Sequence, residues 1–293
     1  MADRFVIAGS RFRWHNPFMP WPSWSESGTA GIVFVLAWLV VGRMPRTRLG
    51  DVFRPAAKEL AITSLLYSFW RVAKRLPFDV RSGAIERAQT IVDVQHSLGI
   101  PSEIHAQRLI LAWAPLGWAS GAYYAGLHVP ATLLFLAWLY IRHQDRFGVW
   151  RNRLALTTLF CMLVRFIHVA PPRFLPELGY IDVAAANGMD VYANAGSAAQ
   201  SVAMPSIHVA WAAIVGFGVL DASPSRWRWL FFAHLPVTMF VVSATGHHWW
   251  LDGIVAIALL GLATVIDDRV RRVLQTRSAV GDATVAGAIA TTR

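Results

Sequence analysis

Long apolar runs separated by clusters of arginine are the feature that most limits how this chain can fold. The runs that we predict to span a membrane are 28–42, 107–124, 129–142, 154–170, 206–221, 229–246 and 249–266. Only 15% of the residues are charged, whereas a soluble domain carries about 25%. Several runs are shorter than the roughly 20 residues that a span usually needs, and polar residues at their ends can supply part of the length. The sequence therefore predicts an all-α, polytopic integral membrane protein.

The excess of basic residues is better explained by membrane topology than by a nucleic acid partner. The net charge is +10, but the arginines lie between the apolar runs, where lipid headgroups attract them. Basic loops at 142–153, 221–228 and 267–277 fall on one side if the five spans from residue 129 alternate. The positive-inside rule makes that side cytoplasmic, so 170–205 and 246–248 lie outside. We expect a plasma or inner membrane protein, with no nucleic acid and no evident protein partner.

The N-terminal part of the chain allows two arrangements. Segment 58–73 is short and ends near Arg71, so it is either an eighth span or a helix lying in the interface. The basic stretches 43–58 and 71–87 favour the interfacial helix, because both then stay on one side. The predicted parts are an N-terminal arm with the first span and interfacial or amphipathic helices over 1–106, a six-helix catalytic membrane core over 107–267 and a disordered cytoplasmic tail over 268–293. One or two of the N-terminal helices would pack outside the core.

Ionisable residues at the outer ends of the predicted spans are the strongest indication of function. Span 154–170 ends on the outer side, and spans 206–221 and 249–266 begin there. Ionisable groups within spans are rare, and by default they mark a functional site that faces the interior of the bundle. The residues that share this depth are Arg165, His168, Arg173, His208, His248 and Asp252.

The types of these residues predict phosphoryl transfer. His248 and Asp252 share a helix face at i, i+4, so the carboxylate can take the proton of one ring nitrogen and leave the other as a nucleophile. His208 can protonate a leaving oxygen, and arginines offer forked donors to phosphoryl oxygens. This combination predicts a phosphohistidine intermediate. We expect no metal and no other cofactor, because metal-dependent transfer usually needs several carboxylates and Asp252 is alone.

Two motifs in this order resemble signatures of the type 2 phosphatidic acid phosphatase superfamily, whose members are integral-membrane lipid phosphatases. They are "PSIH" at 205–208 and the His-x-x-x-Asp from His248 to Asp252. The closer resemblance is to the inositol phosphorylceramide synthase-like branch, the inositolphosphotransferases, and it covers roughly residues 60–267. The stretches that carry it are "LGIPSEIHAQ", "YYAGLHVPAT", "APPRFLPELGYIDV", "AMPSIHVAWA" and "TGHHWWLDGIVA".

The resemblance implies a role for each residue of the site. His248 would become phosphorylated, Asp252 would orient it, and His208 would protonate the leaving alcohol. Phosphate would be bound by Arg173, Ser206 and Arg165, and the further candidates beside the site are His168 and His128.

Two departures from the superfamily pattern bear on phosphate binding. The Arg-Pro of the first motif is inverted here to Pro172-Arg173, which places the arginine one position late. The Ser-Arg that opens the third motif is replaced by Val241-Val242, so one phosphate-binding arginine is absent. The second departure agrees with the synthase-like branch.

Several functions fit the same residues. The first is a lipid phosphotransferase or phosphatase that acts on a lipid phosphate or phospholipid, for example by transfer of a phosphoinositol-type headgroup. A polyprenyl- or glycerolipid-phosphate phosphatase, with water as acceptor, shares every step up to the intermediate. Alternatives from another class are a histidine-ligated haem protein and a non-catalytic membrane protein.

Overall fold

The computed structural model describes residues 22–43, 48–73, 80–186 and 202–291. The chain divides into two compact units, with the boundary after residue 79. Regular secondary structure within the described residues is entirely helical, apart from one isolated bridge between Val80 and Ile167. The prediction of an all-α fold is therefore confirmed.

The first unit is a hairpin of two helices, α1 (Trp24–Arg43) and α2 (Arg48–Ala73). Glycines of α1 allow close approach, since a Cβ at Gly31 would lie 2.7 Å from the side chain of Leu65. The hydroxyl of Ser68, near the end of α2, donates to the carbonyl of Trp24, the first residue of α1, at 2.6 Å. The two helices are thus antiparallel, and segment 58–73 runs alongside α1.

In the second unit, the described residues form ten α-helices and two short 3-10 turns, Pro172–Phe174 and Pro176–Leu178. The α-helices are α3 (Ala84–Ser97), α4 (Glu103–Leu111), α5 (Ala114–Gly126), α6 (His128–Arg142), α7 (Gln144–Arg165), α8 (Val183–Ala186), α9 (Ile207–Ala222), α10 (Arg228–Phe232), α11 (His234–Ala244) and α12 (Trp250–Thr291).

Helix α9 lies at the centre of this unit and packs against α6, α7, α10, α11 and α12. Buried residues lie on all of its faces, as expected for a helix that is apolar all round. Its small residues permit this packing, because a Cβ at Gly218 would overlap the ring of Phe135. A helix enclosed in this way gives the side chains at its start a fixed position.

Among the residues that the structure describes, two helices are long and apolar enough to cross a membrane, α1 and the part of α12 from Trp250 to Thr276. Helices α5 and α6, bent by 52° at their junction, pass the same test if they count as one broken span. Helix α9 and the segment 228–244 are apolar but shorter. These lengths agree with an integral membrane protein, and a core of six full spans stays a prediction.

Prolines explain why two predicted spans are broken in the structure. Helices α4, α5 and α10 end at Leu111, Gly126 and Phe232, each four positions before a proline at 115, 130 or 236. Proline has no N–H to offer the carbonyl four residues earlier, and its ring clashes with that carbonyl. The predicted runs 107–124 and 229–246 are each divided between two helices for this reason.

The structure places α3 and α4 in the same compact unit as the later helices, and its last helix extends to Thr291. The division into an arm over 1–106, a catalytic core over 107–267 and a disordered tail over 268–293 stays a prediction.

Candidate active site

The start of α9 positions Ser206 and His208. Ser206 is the N-cap, and its hydroxyl oxygen accepts the N–H of Val209 at 3.4 Å, as serine commonly does at this position. Ser206 is fully buried, and His208, the second residue of the helix, is 8% exposed. The serine thus organises the first turn that carries the histidine.

The start of α12 positions His248 and Asp252. Asp252, in the first turn, accepts the N–H of Trp249 at 2.8 Å, which is one half of a capping box. A carboxylate at this position also interacts favourably with the positive end of the helix. Asp252 is fully buried and His248 is 5% exposed, so both are removed from bulk water.

The hydrogen bonds of His248 define its tautomer. Its Nδ1 lies 2.7 Å from the carbonyl oxygen of Ala203 and 3.4 Å from Oδ2 of Asp252. A carbonyl oxygen can only accept, so Nδ1 carries the hydrogen and the neutral ring has its lone pair on Nε2. The structure brings the predicted histidine–aspartate pair together, and it adds a nearer partner that the sequence did not indicate.

The first turns of α9 and α12 meet at this point. The N–H of Ser206 donates to the backbone oxygen of Asp252 at 3.3 Å. The rings of His208 and His248 are 5.5 Å apart between centroids, at an angle of 61°. The first N–H groups of a helix have no partners within it, and their positive end favours phosphate. Two such ends therefore converge beside the two histidines.

Arg173 approaches the site from the turn Pro172–Phe174. Its N–H donates to the Gly246 carbonyl at 3.1 Å, and its Nε lies 3.4 Å from Oδ2 of Asp182, with the arginine side chain 5% exposed. Gly246 has a φ of +80°, and a Cβ there would come within 2.6 Å of the Ile181 oxygen. Only glycine fits this position, which joins the arginine turn to the loop before His248.

Aromatic rings line the side of the site formed by α5 and α6. Tyr124 stacks on His247 at 4.2 Å and lies 4.5 Å from the ring of His208. His128 touches the same ring of His208 at 4.3 Å. Burial, followed by the charge of Arg173, holds the pKa of His247 well below its usual range. His247 is 3% exposed, so its ring is removed from bulk water.

Arg165 ends α7, and His168 lies three residues after it. Arg165 is the last residue of the helix and is half-buried, and His168 is fully buried. The backbone oxygen of His168 accepts Nε of Arg87 at 2.7 Å, and its N–H donates to Val80. These contacts hold the chain after α7, and a role of either side chain in phosphate binding stays a prediction.

Two buried polar residues, Gln95 and Glu103, were missed by the sequence reasoning. Oε1 of Glu103 accepts the N–H of Trp250 at 2.8 Å and Nε2 of Gln95 at 2.9 Å. Oε1 of Gln95 accepts the N–H of Leu251 at 2.9 Å. Burial raises the pKa of Glu103, while its hydrogen bonds lower it. The available signal was a glutamate among apolar residues in "LGIPSEIHAQ", a stretch that the resemblance includes without a role.

Gln107, from the same stretch, holds the loop that covers Gly246. Its amide donates to the Ile181 carbonyl at 2.8 Å and accepts the Ile181 N–H at 3.1 Å. The Ile181 carbonyl is the atom that a Cβ at Gly246 would meet. Gln107 therefore fixes the outer boundary of the loop that leads to His248.

Among the residues that the structure describes, no three or more histidine, cysteine, aspartate or glutamate side chains form a group that could hold a metal ion. What the site does contain is a histidine with a defined nucleophilic nitrogen, a second histidine beside it, and an arginine. Histidine can act as a nucleophile or as a general acid towards a phosphoester, and arginine can bind the phosphoryl oxygens.

Comparison with known proteins gives one result. Residues 89–266 match the model of the PAP2 superfamily, which is more than half of the chain's 293 residues. No curated protein and no solved structure matches. The matched segment contains all the residues of the predicted site, from His128 to Asp252. The chain therefore belongs to the PAP2 superfamily, and it is a phosphatase-type enzyme that acts on phosphoesters.

Proposed function

We propose that the protein is a membrane-embedded lipid phosphotransferase that works through a phosphohistidine on His248. The observation that carries this proposal is the 2.7 Å contact between Nδ1 of His248 and the Ala203 carbonyl. This contact directs the lone pair of the ring onto Nε2, the nitrogen that would attack phosphorus. The synthase-like motifs and the burial of the site favour an alcohol acceptor over water.

The reaction has two displacement steps. In the first, Nε2 of His248 attacks phosphorus, the bond to the leaving oxygen breaks, and His208 gives its proton to that oxygen. In the second, His208 takes the proton of an acceptor hydroxyl, whose oxygen attacks phosphorus and displaces Nε2. Asp252, 3.4 Å from Nδ1, stabilises the positive charge that the ring carries while phosphorylated. Each step leaves His208 in the protonation state that the other needs.

Binding of the phosphoryl oxygens falls to the groups around the two rings. Arg173 supplies a fixed positive charge with forked donors, and the first turn of α9 supplies N–H groups. The hydroxyl oxygen of Ser206 accepts the N–H of Val209, which leaves the hydroxyl hydrogen to be donated to a phosphoryl oxygen. Arg165 is the further candidate. Preorganised donors of this kind stabilise the charge that develops in the transition state.

We place the site on the extracytoplasmic face. Helices α9 and α12 begin at the site, and the far end of α9 and the middle of α12 form ion pairs with arginines in the first half of α7. Arg146 pairs with Asp221 at 3.2 Å, and Arg153 pairs with Asp268 at 2.8 Å. Because arginine-rich loops stay in the cytoplasm, the other end of these helices faces outward.

The test is turnover of purified protein with a panel of lipid phosphates and phospholipids in the presence of a chelator, with and without inositol or diacylglycerol. A new phospholipid supports the transferase. Release of phosphate in both conditions identifies hydrolysis and overturns transfer. Activity that is lost with the chelator and restored by a divalent cation overturns the metal-independent route.

Replacement of Asp252 by asparagine tests how the ring is held. We expect kcat to fall about 100-fold, less than the roughly 10⁴-fold loss that a wrong tautomer causes in a serine protease triad. The reason is that the Ala203 carbonyl still accepts from Nδ1, while the charge that stabilises the imidazolium is lost. Steady-state kinetics against Asp93→Asn, an exposed aspartate of α3, gives the comparison. A loss as large as that of His248→Ala would show that the carbonyl does not fix the tautomer.

Replacement of Arg173 tests phosphate binding. Arg173→Lys keeps the charge and loses the fork, and we expect kcat/KM to fall about tenfold; Arg173→Ala should cost about 100-fold, in line with hydrogen bonds to charged groups. Inhibition by vanadate should weaken by similar factors, because vanadate occupies the same oxygen positions. Arg108→Ala, on the exposed side of α4, serves as control. Unchanged vanadate inhibition in Arg173→Ala would remove this arginine from the site.

A further inference from the structure

The N-cap residue of α12 has no side chain that can accept the first N–H groups of the helix. The first N–H groups of a helix need acceptors from outside the helix, and the residue before α12 usually provides one through a short polar side chain. That residue is Trp249, whose indole is a donor only and gives its hydrogen to the Ala170 carbonyl at 2.9 Å. Within the segment, Asp252 accepts the N–H of Trp249. The next two N–H groups therefore depend on other parts of the fold.

Gln95 of α3 and Glu103 of α4 provide these missing acceptors. Glu103 accepts from Trp250 at 2.8 Å, and Gln95 accepts from Leu251 at 2.9 Å. The two side chains are 0% and 3% exposed, respectively, so water does not compete for these bonds. The cap of α12 is thus assembled from two helices that lie about 150 positions earlier in the chain.

The two capping side chains are themselves fixed. Gln95 donates to Oε1 of Glu103 at 2.9 Å, and the Tyr180 hydroxyl donates to Oε2 at 3.4 Å. The ring of Tyr180 meets the Trp249 ring edge-on at 5.2 Å. Burial raises the pKa of Tyr180 to about 12, so this hydroxyl keeps its hydrogen and remains a donor over the working range of pH. A connected and satisfied network of this kind holds its members in one arrangement.

We infer that Gln95 and Glu103 are positioning residues, which hold the first turn of α12 and with it the His248–Asp252 pair. His248 lies two residues before Trp250, whose N–H Glu103 accepts, and Asp252 lies two residues after it. A displacement of about 1 Å at a reacting group can cost about 100-fold in rate. Neither side chain touches the substrate in this role, which rests on the function proposed above.

The experiment compares four variants with the wild type. Glu103→Ala removes the acceptor, Glu103→Gln keeps an oxygen with two lone pairs in its place, and Gln95→Leu removes the second acceptor at similar volume. The matched control is Glu86→Ala, an exposed carboxylate of α3. Two readouts are measured: the steady-state constants kcat and KM, and amide hydrogen exchange in a peptide covering 249–255.

In Glu103→Ala, kcat should fall about 100-fold while KM changes less than about threefold, because orientation and not binding is lost. Glu103→Gln should recover kcat to within about tenfold of the wild type. Exchange at the start of α12 should accelerate in Glu103→Ala and Gln95→Leu, and not in Glu86→Ala. If Glu103→Ala does not fold, the test rests on Gln95→Leu. In that variant kcat should fall about tenfold, and amide exchange at the start of α12 should accelerate.

Wild-type kcat per folded molecule in Glu103→Ala or, where that variant does not fold, in Gln95→Leu overturns the inference, and so does unchanged exchange at the start of α12. A parallel loss of folded protein with normal kcat assigns these residues to stability alone, which also overturns it. If the wild type shows no turnover, or if His248→Ala retains it, the proposed reaction fails. The exchange measurement still decides in that case whether Gln95 and Glu103 hold the start of α12.

Discussion

Replacing His248 with alanine should reduce kcat by about 10⁴-fold or more, because no other group can take its place as nucleophile. The expectation depends on the ring that Ala203 and Asp252 orient through Nδ1. Loss of that ring removes the covalent step, and only phosphate binding and the positive helix ends remain. The residual rate should therefore reflect only the binding and electrostatic stabilisation that these groups provide.

A chemical trap makes this prediction sharper than a rate alone. Wild-type protein quenched during turnover of a phosphate-labelled lipid should carry label that is stable to alkali and labile to acid, as a phosphoramidate is. His248→Ala should carry none. His96→Ala, an exposed histidine of α3, should label as the wild type does. Label on His248→Ala, or an alkali-labile adduct on the wild type, would contradict the phosphohistidine.

Replacing His208 with alanine should slow turnover of alkyl phosphoesters about 1,000-fold, within the range expected for loss of general acid catalysis. Its ring lies 5.5 Å from that of His248, close enough for both to act on one phosphoryl group. An alkoxide is a poor leaving group without a proton, whereas a nitrophenolate leaves readily without one. The loss with nitrophenyl phosphate should therefore be less than about tenfold.

The measurement is the ratio of kcat for an alkyl and a nitrophenyl phosphoester in each variant. His208→Ala should change this ratio by about 100-fold, and His105→Ala, which is exposed on α4, should leave it unchanged. Equal losses with both esters would mean that His208 acts on phosphate binding or on the second step instead of on the leaving oxygen.

The sequence was most informative about the site where residues suited to one reaction also share a helix face or a membrane depth. The spacing of His248 and Asp252 indicates a shared face, and alternation of the spans brings His208 to the same depth. Both contacts are present in the structure. The Ala203 carbonyl could not be predicted in the same way, because a backbone oxygen carries no signal of residue type. It reaches the ring only through a loop 45 positions away in the chain.

The positions of the prolines would have predicted the ends of the helices better than apolar composition did. The residues around the break after Leu111 are apolar, so the run 107–124 reads as continuous. The proline four positions after Leu111, Gly126 or Phe232 carries the missing information, since it removes one backbone donor.

Gln95 and Glu103 were overlooked for a different reason. Polar residues outside the spans are usually solvated, and nothing local shows that their partners are backbone N–H groups of a distant helix. His247 illustrates the same limit, because its neighbour Tyr124 comes from α5. Side chains whose partners lie in other helices need the tertiary structure to be assigned.

Helix α12 has a consequence for the dimensions of the molecule. Its 42 residues correspond to about 63 Å of helix at 1.5 Å per residue, whereas the hydrocarbon layer is about 30 Å thick. A tilt of about 20° changes the required length only slightly. In the proposed orientation, with the first turn at the outer membrane surface, about half of the helix would extend beyond the inner membrane surface. The backbone that orients the proposed nucleophile would then be continuous with a segment in the aqueous compartment on the other side.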